Sequence, residues 1–152
     1  MHPFIKSLRF AFSWLVIGLA GTLHADIVQC TNLPNALPIS EDAANPTEGV
    51  ISVTTDEPVT DVDILVDIAH DYIDDVIVEI ISPAGTLVRL HDQGGGSNDF
   101  INVIFDDGGA PNGNIPWDSG CRVQPSGPGA LSDLASASSV GDWTLRCQDT
   151  FA

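Results

Sequence analysis

Between Asp61 and Ile68 the chain alternates strictly: Val62, Ile64, Val66 and Ile68 are interleaved with Asp61, Asp63, Leu65 and Asp67. Successive side chains of a strand point to opposite faces, so this spacing places branched apolar groups on one face and mostly carboxylates on the other. A helix would scatter the same residues around its axis. The segment therefore predicts a half-buried strand. Gly49 to Thr55 (GVISVTT), Asp75 to Ile81 (DVIVEII), Gly85 to His91 (GTLVRLH), Ile101 to Phe105 (INVIF) and Asp142 to Gln148 (DWTLRCQ) repeat the style. In the last of these, Trp143, Leu145 and Cys147 share a face, which points Cys147 at the core. Turn chemistry separates the runs at Ser82-Pro83-Ala84-Gly85, Gln93 to Asn98, Asp107-Gly108-Gly109 and Asn112-Gly113-Asn114. Ala130 to Ser139 has room for a helical turn or two, and no window supports a long helix. An all-β sandwich is expected, two sheets closing on a core of Val, Ile and Leu.

Ahead of this pattern, Lys6 and Arg9 precede an apolar run from Phe10 to Ala20, and Thr22-Leu23-His24-Ala25 ends it on a small residue. Residues 1–25 read as a removable export signal, with an apolar run too short to span a bilayer. Pro34, Pro38 and Pro46 make 26–46 an extended lead-in. All 21 acidic residues follow position 25, where the only cations are Arg89, Arg122 and Arg146, so the processed chain carries a formal charge of −18. That balance disfavours nucleic acid and anionic lipid and favours cations. The expected location is secreted, periplasmic or extracellular, without membrane attachment after cleavage. In such a compartment Cys30, Cys121 and Cys147 can form one bridge with one thiol left over, and three pairings are open. Cys121 with Cys147 is the favoured disulfide.

Several strings fall in an informative order: Val62 to Val76 with its His70-x-Tyr72, then Ser82-Pro83-Ala84-Gly85-Thr86 and Leu90, then Phe105-Asp106-Asp107, then Pro125, Leu131 and Gly141-Asp142-Trp143-Thr144-Leu145. Over about Leu37 to Asp149 this order and spacing resembles the P/Homo B domain of proprotein convertases, placing that domain at 37–152. The resemblance implies a jelly-roll-like β-sandwich that sits C-terminal to subtilisin-like serine proteases, stabilises them and tunes their response to pH and calcium. Asp71 stands where the family commonly has Thr, and Asp74 where it commonly has Gly. The sequence ends at Ala152, where the family continues through a Gly-Asp-x-Gly turn into a last Trp-containing strand. The expectation is a C-terminally truncated domain with an open sheet edge near Asp142 to Gln148. That edge would expose part of Trp143 and Leu145 and invite an edge-strand dimer or a strand supplied in trans.

No catalytic residue is assigned. Trp117-Asp118-Ser119-Gly120 only echoes a trypsin-like nucleophile segment, His70 reads as a structural hydrogen-bonder at a strand end, and His91 reads as a surface loop residue. Eight carboxylates lie between Asp56 and Asp75 with no Lys or Arg among them, so water, backbone donors or a bound cation must meet their repulsion. Calcium suits such oxygen-rich turns, with Asp75, Asp106 and Asp107 as candidate ligands; the competing reading is a solvated acidic face with Asp residues as turn formers. The functional expectation is a non-catalytic module partnered with a subtilisin-like protease or another secreted protein. The alternative is a stand-alone jelly roll that binds a carbohydrate or cell-surface ligand, stacking it on Tyr72 and Trp117.

Overall fold

Alternation decides which side of each strand is buried, and the computed structural model places those buried sides face to face. It describes residues 7–13, 37–42, 44–56, 58–113, 115–135 and 138–151. The strands are β1 (Ser7–Ser13), β2 (Thr47–Val53), β3 (Asp63–Ala69), β4 (Val76–Ile81), β5 (Leu87–Asp92), β6 (Phe100–Ala110), β7 (Asp118–Val123) and β8 (Gly141–Asp149). Short 3-10 turns occupy Ile73–Asp75 and Leu131–Leu134. One sheet has the order β1-β3-β6-β7 and the other β2-β8-β4-β5. Successive strands change sheet at β1 to β2, β2 to β3, β3 to β4, β5 to β6 and β7 to β8, and only β4 to β5 and β6 to β7 stay within one sheet. The expected all-β sandwich forms, with one departure from an all-antiparallel arrangement, because β7 runs parallel to β6.

Ile64, Val66 and Ile68 of β3, Ile101, Val103 and Phe105 of β6, Val78 and Ile80 of β4, and Trp143 and Leu145 of β8 are fully buried in one shared core. Complete burial of such a side chain is worth roughly 1.5–3 kcal/mol, so this core carries the fold. Among the described residues no helix is long and apolar enough to cross a membrane.

The expected open edge at Asp142 to Gln148 is overturned. β8 is central in its sheet, paired with β2 from Thr47↔Cys147 to Val53↔Gly141 and with β4 from Val76↔Asp149 to Ile81↔Thr144. Trp143 and Leu145 are accordingly buried. The edge that depends on an outlying segment is that of β3. There the partner is β1, drawn from residues read as the export signal, in antiparallel register from Ser7↔Ala69 to Ser13↔Asp63.

The favoured Cys121–Cys147 bridge is also absent. Both are free thiols, Cys121 half-buried on β7 and Cys147 fully buried on β8, in opposite sheets. Cys121 instead directs its thiol to the Pro116 carbonyl at 3.8 Å. Cys30 lies outside the described residues.

Candidate functional site

The polar chemistry of the sandwich is organised by three arginines. Glu79 on β4 is directly opposite Arg89 of β5 on one side and Arg146 of β8 on the other. Its Oε1 accepts from Arg89 Nε at 3.1 Å and Nη2 at 2.9 Å, and its Oε2 accepts from Arg146 Nε at 2.9 Å and Nη2 at 2.5 Å. Burial by itself would raise the Glu79 carboxyl, but the two guanidiniums outweigh it and hold the group below the usual carboxylate range. Arg89 also reaches Asp92 at 3.2 Å.

In the other sheet, Arg122 of β7 donates through Nη1 to Asp63 at 2.7 Å and to Asp106 at 2.6 Å. Asp63 is buried, and that desolvation raises its carboxyl above the ordinary range despite Arg122. The acidic run that lacks a local cation thus receives one from a strand far along the chain. These pairs engage every arginine beyond residue 25.

The three candidate calcium ligands have separate occupations. Asp75 ends the first 3-10 turn, where its backbone carbonyl accepts from both N–H and Oγ1 of Thr150 at 2.8 Å. Asp106 pairs with Arg122 and accepts the Gly108 N–H at 2.7 Å. The Asp107 carboxylate accepts Leu131 N–H at 2.9 Å and Ser132 N–H at 2.8 Å, fixing the start of the second 3-10 turn. Among the described residues no group of three His, Cys, Asp or Glu side chains is arranged to hold a metal ion.

Trp117 is not a stacking platform. It is only 2% exposed and meets the His91 ring edge-on, with centroids 4.8 Å apart and planes at 80°. Gly95, at φ +91°, closes over it so tightly that a Cβ there would lie 2.6 Å from the indole Nε1. Tyr72 is exposed, and with Trp117 buried the two do not form a shared stacking surface.

His91 is likewise not the surface residue expected. It lies on β5, fully buried, with Nε2 at 3.0 Å from the Ile73 carbonyl. The cause is a β-bulge: Val78 pairs with His91 but Glu79 with Arg89, so Leu90 is the extra residue and the in–out alternation slips. Leu90 and His91 are consequently both buried. Desolvation pushes the His91 imidazole below its usual range, and its Nδ1 has no partner among the described residues.

His70 behaves as expected. Buried at the end of β3, it accepts the Tyr72 N–H on Nδ1 at 3.1 Å and donates from Nε2 to Asp149 at 3.0 Å. Asp149, the last residue of β8, was not singled out from sequence because nothing local marks an aspartate near a chain end as the partner of a histidine 79 residues earlier.

Among the described residues the groups a nucleophilic mechanism would use have structural contacts. The Ser119 hydroxyl donates to the Pro116 carbonyl at 2.6 Å, and His70 and His91 are each held in a structural contact elsewhere. The Cys147 thiol, buried and close to Asp149, is pushed up to about 12, far from the thiolate that nucleophilic attack requires. What the arrangement does is fix strand ends and sheet registers.

No curated protein and no solved structure matches the chain. Residues 59–152, well over half of the sequence and the whole of the sandwich from the approach to β3 onward, match the family model described as the proprotein convertase P-domain, and the chain belongs to that family.

Proposed function

We propose that this chain is an exported, non-catalytic P-domain module that acts by packing against a subtilisin-like serine protease, supporting its fold and tuning its activity. The observation that carries this reading is the family match over residues 59–152. The structural occupations of Ser119, His70 and His91 agree with it, since a hydrolase needs a nucleophile in contact with an oriented base. An excess of carboxylates without free arginines suits contact with a partner that presents cationic groups.

The test is co-expression with a subtilisin-like catalytic domain from the same genome that lacks a P-domain of its own. The expected result is a protease that co-purifies with the chain, melts higher and keeps its activity longer on heating. A protease indifferent to the chain, or peptide hydrolysis by the chain alone that Ser119→Ala abolishes, would refute the proposal.

A further inference from the structure

The outer edge of β3 is the place where sequence and structure pull against each other. Its partner β1 pairs over seven residues, and those residues belong to the segment read as the export signal. Cleavage after Ala25 would remove β1 and leave β3 paired only with β6. The vacated edge borders fully buried core, because Ile64, Val66 and Ile68 are all at 0% exposure with β1 in place. Unpaired backbone groups beside such an apolar face attract another strand.

We propose that the outer edge of β3 is a strand-acceptor site, held by Ser7–Ser13 before processing and afterwards by an extended segment of a partner protein. The register defines the chemistry of that segment. Leu8, Phe10 and Phe12 stand opposite Ile68, Val66 and Ile64, and Arg9 stands opposite Asp67. The incoming strand therefore runs antiparallel to β3, is about seven residues long, has apolar residues at alternate positions and places a basic residue across from Asp67. A second copy of this chain is a poorer occupant. Antiparallel self-pairing of β3 would bring the Asp63 and Asp67 rows of two strands together, between two chains of formal charge −18. The inference is independent of whether the partner is a protease.

The experiment compares the full chain with the form released by a secreting host, whose N-terminus is read by intact mass. Hydrogen exchange is followed at residues 63–69. The probe is the synthetic peptide SLRFAFS, with two controls: the same peptide carrying Pro in place of its first Phe, and one carrying Asp in place of Arg. The released chain is expected to lack residues 1–25, to have lost protection at alternate β3 amides and to regain it with SLRFAFS, with a rise in melting temperature. The Pro peptide should restore nothing, and the Asp peptide should bind about two- to fivefold more weakly. A released chain that folds only when the peptide is added supports the same conclusion. Retention of residues 7–13 in the released protein, full protection of 63–69 in a peptide-free monomer, or a chain that the peptide neither folds nor protects would each overturn it. Protection that instead rises with protein concentration, together with a dimer, would identify a second copy as the occupant and overturn the assignment to a partner.

Discussion

Replacing Glu79 with Gln preserves shape and removes only charge and one acceptor, so it isolates what the double arginine clamp contributes. In the native protein four N–H groups converge on the two carboxylate oxygens. The amide would keep one oxygen for one arginine and turn an NH2 group toward the other, replacing two charge-assisted bonds with opposed donors. Such bonds contribute about 1.5–3 kcal/mol each, and stripping one partner from a buried pair costs about 3–5 kcal/mol. Arg89 and Arg146 are 29% and 31% exposed and can recover some hydration, whereas the Glu79 side chain is 8% exposed. The loss therefore falls at about 2–4 kcal/mol, or roughly 6–15 °C in Tm for a domain of this size.

Urea and thermal unfolding at pH 7 measure that difference, and repeating them down to pH 3 checks its origin. Because the folded carboxyl lies below its ordinary value of 4.5, its contribution is complete above that pH and is lost as pH falls through the lower folded value. The gap between the native protein and Glu79→Gln should therefore narrow on acidification below about pH 4.5. A variant within about 0.5 kcal/mol of the native protein at pH 7, or a gap that does not change with pH, would refute the argument.

Two further variants probe the packing around Trp117. His91 titrates below 6.5 when folded, so the unfolded chain takes the proton first and stability falls as pH drops below 6.5, by at most about 1.4 kcal/mol per pH unit. His91→Phe should flatten that part of the stability–pH curve, and an unaltered slope would count against the buried neutral imidazole. In Gly95→Ala the new methyl would meet Ile73 Cδ1 at 2.5 Å and Trp117 Nε1 at 2.6 Å, whereas at Gly96, also at positive φ, a Cβ meets nothing within 4 Å. Gly95→Ala should cost about 1–3 kcal/mol more than Gly96→Ala and shift the tryptophan fluorescence; equal losses would mean that the loop does not clamp the indole.

Much of the fold was legible because period-two alternation is a local signal. Val62 to Ile68, DVIVEII and DWTLRCQ all became strands within a residue or two of the expected bounds. Where pairing rather than pattern makes the strand, the sequence was silent. β7 (DSGCRV) buries only Val123 and exists because β6 lies beside it, and β6 runs on through Gly108 and Gly109, which read locally as a turn. Gly109 is needed there because a Cβ would sit 2.6 Å from the Val123 amide nitrogen, a contact no local rule anticipates. The site residues divide the same way. His70 was placed correctly from its position at a strand end, whereas His91 and Trp117 were misplaced because a bulge and a glycine-rich loop, both consequences of tertiary pairing, turned them inward. Arg122 as the partner of Asp63 and Arg146 as a partner of Glu79 were invisible because sheet order, not sequence proximity, brings their strands alongside, whereas Arg89 reaches Glu79 from the next strand in the chain.

The placement of those arginines explains how so acidic a chain folds and what kind of surface it then presents. Glu79 and Asp63 are buried carboxylates, and burying an unpaired charge is far more costly than leaving it in water. Arg89, Arg146 and Arg122 are therefore committed to internal neutralisation. Asp149, also buried, is met by His70 instead, and most other described carboxylates lie at least partly in water, where solvent screens their repulsion over about 8–10 Å at physiological ionic strength. The surface potential is consequently negative almost wherever a partner could approach, and attraction to a basic face raises association rates more than it deepens the final affinity. On the β3 edge the two demands coincide. A strand settling there must bury apolar side chains against Ile64, Val66 and Ile68 and also lie beside Asp67, so the segment with fewest penalties alternates apolar residues with a cation, as Leu8-Arg9-Phe10 does in β1.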